Sequence, residues 1–342
     1  MKALWKKLRY RLEWLALAAA LKLVPMLSRN ACYQLAGFAG ALAATFDRRG
    51  RRVTLANLQA AFGDELSPER RAQIVRESYQ HFARTMLDLF WSPRLSSETF
   101  ADYIEFEGVD RAAADIAPTN SCIVGTFHYG NFEWLGLATG WIGYPCAITT
   151  QEFKNPLLDE FFTKLREQSG HKVVEREGAI IRLYKALRRK GRVALLVDTT
   201  LPPHHPTVVI DCFGLKTIVT VAHAWLQERT GVPVIPVHCE PLPAGRYRVV
   251  AHPKVELREG ATHQQIAQAC WDAVEPVVRR NPAPWLWMYK HWRYKPAGAT
   301  GYPFYSQESW AFEQIAARPN YAKLDRSLAP SRAATAERTQ AR

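Results

Sequence analysis

Several motifs that usually mark an enzyme active site are missing from this 342-residue chain. It has no Gly-x-Ser-x-Gly elbow for a nucleophilic serine, no Gly-x-x-x-x-Gly-Lys-Ser/Thr phosphate loop and no His-Glu-x-x-His zinc motif. A Gly-x-Gly-x-x-Gly turn is also absent. The sequence therefore carries no signature of serine hydrolases, nucleoside triphosphatases or zinc metalloproteases. No bound cofactor or metal ion is predicted.

The sequence also lacks closely spaced cysteines, and it has fewer acidic than basic residues. The six cysteines are scattered and no two form a Cys-x-x-Cys pair, which predicts reduced, buried thiols and excludes a disulfide framework. Only 32 Asp and Glu face 45 Lys and Arg, so the net charge is +13. Such a positive field favours polyanions, either nucleic acid or the phosphate-rich surface of a membrane.

No clean apolar run of the ~18–20 residues expected of a spanning helix is present. Residues 2–11 are basic and contain no acid, and two apolar stretches follow, of which the first is interrupted by Lys22 and Pro25. We predict that residues 1–46 are an uncleaved anchor that spans once or lies in the membrane interface, with its basic end cytoplasmic. The alternative is a pair of core helices.

The remaining sequence predicts an α/β fold. Residues 47–115 are predicted to be helical, including a helix that begins at Ser67-Pro68-Glu69 and ends near Trp91. Residues 116–296 alternate strands and helices, and one of these helices is predicted over Val219–Arg229. This alternation favours a mostly parallel, twisted sheet covered by helices on both faces. Residues 297–321 form a C-terminal extension, and residues 322–342 are predicted to be a disordered tail.

The stretch Cys122–Ala138 reads as a buried strand, a tight Gly/Asn turn and the start of a helix. The turn exposes His128, and Glu133 follows five residues later. A carboxylate that holds one ring nitrogen makes a neutral imidazole a general base. Backbone N–H groups near Gly130 and Asn131 are candidates for binding an oxyanion or phosphate. The alternative is a turn histidine with an unrelated surface glutamate.

Residues 125–134, Gly-Thr-Phe-His-Tyr-Gly-Asn-Phe-Glu-Trp, resemble the His-x-x-x-x-Asp/Glu hallmark of membrane glycerophospholipid and lipid A acyltransferases. The bacterial lipid A late acyltransferases are the most similar branch, with phosphatidylinositol mannoside acyltransferases as relatives. Further blocks resemble that branch in the same order along the chain, namely residues 51–62, 191–198, 208–214, 230–236 and 284–293.

This resemblance implies that His128 is the general base and Glu133 its orienting group, with direct acyl transfer and no acyl-enzyme. A rival assignment makes Glu133 a substrate-positioning group and gives the orienting role to Asp198, because Asp198 follows a parallel strand at the edge where such sheets place their sites. The alternative for Asp198 is a turn or cap residue. The following Thr199-Thr200 and the His204-His205 pair depart from the family pattern.

Other residues are candidates for binding substrate or membrane. Lys154, Arg176 and Arg182 are candidate phosphate contacts, with solvated surface charges as the alternative. Phe213 and Gly214 are expected to line the acyl or acceptor channel, unless they pack in the core. An aromatic and basic segment is expected to form an interfacial surface, or else a C-terminal core helix; its members are Trp285, Trp287, Lys290, Trp292 and Arg293.

The resemblance implies an inner-membrane acyltransferase whose site faces the cytoplasm. It would move an acyl chain from acyl carrier protein or coenzyme A to a hydroxyl of an anionic lipid, with a lipid A precursor as the leading acceptor. Its partners would be the bilayer, the lipid acceptor and an acyl carrier protein. A lysophospholipid or mannoside-type glycolipid acceptor is the alternative, and a non-catalytic membrane-binding protein a further one. A nucleic-acid partner is not expected.

Overall fold

The computed structural model describes residues 2–150, 153–175 and 177–325, with only the backbone described for residues 2–4. The α-helices of this part are α1 Lys2–Leu23, α2 Arg29–Phe46, α3 Arg48–Phe62, α4 Pro68–Trp91, α5 Val109–Ile116, α6 Phe132–Trp141, α7 Asp159–Glu167, α8 Ala179–Arg188, α9 Ala222–Thr230, α10 His263–Arg280 and α11 Trp310–Ala316. The strands are β1 Ile104–Glu107, β2 Cys122–Thr126, β3 Ala147–Thr149, β4 Lys172–Val174, β5 Arg192–Leu196, β6 Thr207–Cys212, β7 Leu215–Thr220, β8 Val234–Pro241, β9 Tyr247–Ala251, β10 Tyr294–Lys295 and β11 Gln307–Glu308.

A seven-stranded sheet in the order β1-β9-β8-β2-β5-β3-β4 forms the centre of the described chain. Its neighbouring strands are parallel except for β8 and β9. The predicted α/β fold with a mostly parallel sheet is therefore confirmed. One part of the prediction is wrong: residues 47–115 are not all helical, because β1 forms an edge of this sheet.

The sheet is buried on both faces, which explains its nearly continuous apolar strands. Ile123 and Val193 point to one side, where they join the core formed with α9 and α10. Cys122 and Ile235 point to the other side and pack with residues of α4 and α6. The two apolar cores hold the central strands rigidly, and these strands carry the residues of the site.

Residue Val219, where the sequence predicted the start of a helix, lies instead in a β-hairpin formed by β6 and β7. Strand β7 pairs with β6 in an antiparallel hairpin, and α9 begins only at Ala222. Phe213 and Gly214 adopt φ angles of +53° and +76°, as a tight two-residue hairpin turn requires. The β-branched residues of β7 pair across the hairpin, and this pairing outweighs their reading as a helix start.

Helix α4 follows its sequence prediction. It runs from Pro68 to Trp91, and the Ser67 side-chain oxygen accepts a hydrogen bond from the Arg70 N–H at 3.2 Å. Helix α2 crosses α4 so closely that a Cβ on Gly40 would lie 2.5 Å from the Gln80 Cα. Small residues therefore set the contact between the two helices, and one face of α2 belongs to the core.

The opposite faces of α1 and α2 are exposed and apolar. Their exposed large side chains include Trp5, Leu8, Leu12 and Leu15 on α1, and Leu35, Phe38, Leu42 and Phe46 on α2. Within the described ranges, none of the helices combines the length and the apolar character needed to cross a bilayer. The predicted C-terminal tail falls mostly on residues 326–342, which lie outside the described residues.

Candidate active site

The sheet register brings His128 and Asp198 together. Strands β2 and β5 are parallel neighbours in which Thr126 pairs with Leu196. His128 and Asp198 each stand two residues beyond these partners, at the carboxyl ends of their strands. Adjacent parallel strands lie about 4.8 Å apart, so residues at matched offsets face each other. The site therefore forms at the edge where open parallel sheets place their ligands.

Asp198 holds the histidine through both of its oxygens. Its Oδ1 lies 2.8 Å from His128 Nδ1, and its Oδ2 accepts the His128 backbone N–H at 3.0 Å. Oδ2 also accepts the Trp285 indole N–H at 3.0 Å. Burial alone would raise the pKa of this carboxyl, but the interactions with His128, His291 and Trp285 outweigh burial and lower the pKa to about 2. Asp198 therefore remains an anion near neutral pH.

This arrangement leaves the far side of the His128 ring free. In the described part of the chain, Nε2 makes no hydrogen bond, and His128 lines a small opening together with Ser78, Phe82 and Phe132. The Tyr289 ring stacks on the imidazole with a centroid distance of 6.1 Å. With Nδ1 bonded to a carboxylate, the ring carries its proton on Nδ1, which leaves Nε2 as its basic nitrogen.

Glu133 does not orient His128. Its two carboxylate oxygens accept hydrogen bonds from Arg166 on α7, at 2.9 Å from Nε and 2.6 Å from a terminal nitrogen. The pKa of Arg166 is raised: burial would lower it, but the charge and hydrogen bonds of Glu133 outweigh burial. The sequence assigned the orienting role first to Glu133 and second to Asp198, and the geometry supports the second assignment. Glu133 instead ties α6 to α7.

Replacing Glu133 with glutamine is expected to weaken the α6–α7 contact without changing the proton chemistry. The free energy of unfolding should fall by about 1–3 kcal/mol, because Arg166 loses its charged acceptor. The catalytic rate of E133Q should fall by less than the ~10²-fold expected when a general base is lost. The dependence of that rate on pH should keep the shape it has in wild type. Denaturation and pH–rate measurements on E133Q, R166Q and the double variant check this.

The double variant provides the control for that prediction. If the two side chains act only on each other, E133Q/R166Q should be no less stable than the worse single variant. A shift of the pH profile in E133Q, of the kind expected for an orienting carboxylate, would restore Glu133 to the role first predicted for it.

The turn between β2 and α6 leaves fewer free N–H groups than predicted. Gly130 has a φ of +59°, and a Cβ there would lie 1.7 Å from the Cys239 carbonyl oxygen, so only glycine fits. Its N–H donates to the Pro284 carbonyl at 3.0 Å, and its own carbonyl accepts from the Thr85 hydroxyl. The prediction that the Gly130 N–H binds an oxyanion is therefore wrong for this conformation.

Asn131 stabilises the turn between β2 and α6 through a buried hydrogen-bond network. The sequence did not predict this network. Its Oδ1 caps α6 by accepting the Trp134 N–H at 2.9 Å, and its Nδ2 donates to Asp88 at 2.9 Å. Asp88 is completely buried, pairs with Arg29 and accepts the Tyr247 hydroxyl at 2.6 Å. Burial raises the pKa of Asp88 despite these partners. Asn131 is therefore a structural residue in this geometry.

Replacing Arg29 with alanine is expected to destabilise the protein by about 3–5 kcal/mol, because Asp88 would remain buried without its cation. Urea denaturation measures the difference. Replacing Arg70 is the matched control, since its pair with Glu77 is only half-buried and should contribute less than about 1 kcal/mol. Equal effects of R29A and R70A would show that the buried pair does not stabilise the turn.

The tryptophans predicted to meet the membrane are buried. Trp285 is 1% exposed, and Trp287 and Trp292 are 0% exposed. Their segment, residues 284–293, is neither an interfacial nor a core helix. It is an irregular segment that crosses the site, here called the aromatic strap, and its Leu286 N–H donates to the His128 carbonyl at 3.0 Å. The predicted interfacial role of these three rings is therefore wrong, because they fill the core beside Asp198.

Phe213 belongs to the same aromatic core. It is 6% exposed and its ring lies 5.8 Å from that of Trp285 and 5.9 Å from that of Trp287. This corresponds to the core alternative stated for Phe213, and Gly214 supplies the turn beside it. Neither residue lines the opening at His128.

The remaining candidate phosphate contacts do not converge on His128. The Lys154 carbonyl accepts the Tyr10 hydroxyl of α1 at 2.5 Å, which places Lys154 beside the N-terminal helix. Arg182 of α8 forms an ion pair with Glu175, which precedes that helix, at 3.6 Å. Arg176 lies outside the described residues. Lys290 and Arg293 are half-buried.

Comparison with known proteins agrees with the geometry. A sequence profile described as "Bacterial lipid A biosynthesis acyltransferase" matches residues 1–294, so the chain belongs to the bacterial lipid A biosynthesis acyltransferase family. A relative described as "Lipid A biosynthesis acyltransferase" from Haemophilus influenzae (strain ATCC 51907 / DSM 11121 / KW20 / Rd) is 22% identical over 254 residues. The match covers 73% of this chain and 78% of that protein. The suspected family membership is confirmed.

Proposed function

We propose that this acyltransferase moves a fatty acyl chain from a thioester directly to a hydroxyl of a lipid A precursor, with His128 as general base. The observation that carries the proposal is the Asp198–His128 pair, in which Nδ1 lies 2.8 Å from the carboxylate and His128 lines the opening. Asp198, rather than Glu133, orients the ring. No bound cofactor or metal ion takes part.

The step proceeds without a covalent enzyme intermediate. Nε2 removes the proton of the acceptor hydroxyl as its oxygen attacks the thioester carbonyl. The tetrahedral intermediate collapses, the C–S bond breaks, and the imidazolium returns its proton to the departing thiolate. The products are an ester and a free thiol.

The hydroxyls beside His128 support direct transfer. The Ser78 hydroxyl donates to the Trp285 carbonyl at 2.9 Å, and the Thr85 hydroxyl donates to the Gly130 carbonyl at 3.0 Å. Each hydroxyl therefore donates its proton to a backbone carbonyl and not to the imidazole. A nucleophile needs a base within hydrogen-bond reach, and neither hydroxyl bonds to His128.

The membrane part of the proposal rests on α1 and α2. Both helices carry exposed large apolar side chains, and basic residues stand at the start of α1 and of α3. Apolar groups inserted among acyl chains, with cations at the headgroups, are typical of interfacial helices. We place the enzyme on the cytoplasmic surface of the inner membrane, where acyl carrier protein or coenzyme A delivers the chain.

Mass spectrometry of membrane lipids from cells with and without the gene tests the function. The proposal predicts that lipid A loses one ester-linked acyl chain when the gene is absent and regains it on complementation. Loss of a chain from a phospholipid or a mannoside-type glycolipid, with lipid A unchanged, would assign a different acceptor. An unchanged lipid profile would contradict the proposed acyl transfer.

A further inference from the structure

A cationic basin opens where α3 meets the aromatic strap. It encloses about 420 Å³ and is lined by Arg48, Arg49, Arg52, Val53, Lys290 and Phe304. Arg52 lies over the Phe304 ring at 4.8 Å from its centroid, and Lys290 lies over the Tyr305 ring at 5.1 Å. Aromatic faces thus position two of the cations around a common space.

The walls of the basin are fixed to each other. Asn57 of α3 donates from its side-chain nitrogen to the carbonyls of Trp287 and Tyr289, each at 2.8 Å, and its oxygen accepts the Tyr305 hydroxyl. Asn57 is completely buried. The backbone segments that carry the arginines of α3 and the lysine of the strap are therefore held at a fixed separation, which lowers the entropic cost of bringing their side chains onto one ligand.

The basin cations are not neutralised by the protein. Within the described chain, none of the four basin cations forms an ion pair with a carboxylate. Asp47 precedes the basin arginines, and its carboxylate accepts hydrogen bonds from the Gly50 N–H at 2.9 Å and the Tyr79 hydroxyl at 2.8 Å. These two bonds are the main causes that lower the pKa of Asp47, and Arg49 contributes less, so Asp47 compensates only a small part of the basin charge. Burial, Arg49 and Arg293 lower the pKa of Lys290, as expected for a cation among other cations.

The basin is connected to the site of reaction through two consecutive residues of the chain. Lys290 directly follows Tyr289, whose ring stacks on His128 and whose hydroxyl donates to the Thr200 carbonyl at 2.8 Å. A basin cation and the residue whose ring stacks on the imidazole are therefore neighbours in the chain. Guanidinium groups and an ammonium around one space match the geometry and charge of a phosphoryl group.

We propose that the cationic basin binds a phosphoryl group of a substrate and so positions that substrate beside His128. The inference rests on the proposed acyl transfer for its role in catalysis, but not for its binding chemistry. The phosphoryl group can belong to the lipid acceptor or to the coenzyme A donor, and the test distinguishes these two sources.

Steady-state kinetics of the full-length enzyme test the role in catalysis. The R49Q/R52Q variant is compared with wild type and with R188Q/R189Q, which removes two exposed arginines of the α8 end. The acceptor is offered with and without its phosphate, and the donor as acyl-coenzyme A and as the phosphate-free acyl-pantetheine thioester. We expect KM for one phosphorylated substrate to rise about tenfold in R49Q/R52Q, with KM for its phosphate-free form and kcat nearly unchanged.

The substrate affected names the source of the phosphoryl group, and either assignment supports the basin. Equal rises in KM for the phosphorylated and phosphate-free forms, or no rise for any substrate, would overturn it. An effect confined to acyl carrier protein as donor would overturn it in favour of a protein-docking surface. Loss of binding to anionic vesicles, with unchanged KM in detergent, would overturn it in favour of a membrane contact.

A binding measurement separates this inference from the proposed function. Inorganic phosphate, added at constant ionic strength, should raise the Tm of wild type and of R188Q/R189Q but not that of R49Q/R52Q. This result would support the basin even if no acyl transfer were detected. A rise of the same size in all three proteins, or no rise in wild type, would contradict the inference.

Discussion

Replacing His128 with alanine is expected to lower kcat for acyl transfer about 10²- to 10⁴-fold, the range usually lost with a general base. Among the described residues that line the opening, only His128 has a ring nitrogen bonded to a carboxylate: Asp198 lies 2.8 Å from its Nδ1. This leaves Nε2 as the base. Without the ring, the acceptor hydroxyl must lose its proton to water. KM for both substrates should change much less than kcat.

The fold should survive the loss of this ring. Asp198 keeps the His128 backbone N–H and the Trp285 indole N–H as donors, so its charge remains partly compensated. The matched control is His204→Ala, because His204 is exposed and stacks on His205 away from the opening. Wild-type kcat in H128A, with both variants folded, would remove His128 from the chemistry.

Replacing Asp198 with asparagine is expected to lower kcat about tenfold to 10³-fold, although the side chain changes by one atom. Oδ2 accepts two N–H donors, from the His128 backbone and the Trp285 indole. The asparagine amide must therefore turn its oxygen toward these donors and its NH₂ toward Nδ1. Nδ1 then has to accept, and the ring proton moves to Nε2, which can no longer act as the base.

The acid stability of the same variant gives a second result. The folded pKa of Asp198, about 2, lies below its ordinary value of 3.8, so its ionisation stabilises the fold above about pH 4. This contribution is lost as the pH falls toward 2. The stability difference between wild type and D198N should therefore shrink as the pH falls from about 4 to about 2 in urea denaturation.

Asp211→Asn is the control for both measurements, because Asp211 is exposed on the β6–β7 hairpin. Its kcat and its pH-dependent stability should match those of wild type. If D198N kept wild-type kcat, or if its stability difference stayed constant over the acid range, Asp198 would not be the anion that orients His128.

The sequence predicted the local elements of the site well. Strand β2, the glycine turn and the start of α6 were recognisable because an apolar run, a Gly-Asn pair and an N-cap are signals that lie within about fifteen residues. The choice between Glu133 and Asp198 depended on which strand neighbours β2. That choice is a matter of sheet order between segments 70 residues apart, and no local pattern encodes it.

The aromatic strap shows a different limit. Trp285, Trp287 and Trp292 next to Lys290 and Arg293 have the same composition in an interfacial belt and in a core segment with charged edges. Only packing separates the two, and here the rings surround Phe213 and support Asp198. The sequence grouped the two cations of the strap with its tryptophans, but of the two only Lys290 lines the basin, and its arginine neighbours on α3 lie more than two hundred residues earlier in the chain.

The buried ion pairs were missed for a physical reason. Asp88 lies in the apolar end of α4, and Glu133 in the apolar helix α6, where an unpaired carboxylate would be costly. Those positions signal that a cation must be near. The sequence could not identify Arg29 or Arg166 as the partners, because each pairs across the fold rather than along one helix.

The most direct test of the account is the reaction itself, measured with purified wild-type protein and H128A side by side. A lipid A precursor is incubated with an acyl thioester, and the products are weighed by mass spectrometry. The account predicts that wild type adds one ester-linked chain with release of an equal amount of free thiol, and that H128A adds almost none in the same time. Transfer by both proteins at the same rate, or an acyl chain covalently attached to the wild-type protein as an intermediate, would contradict direct transfer by His128.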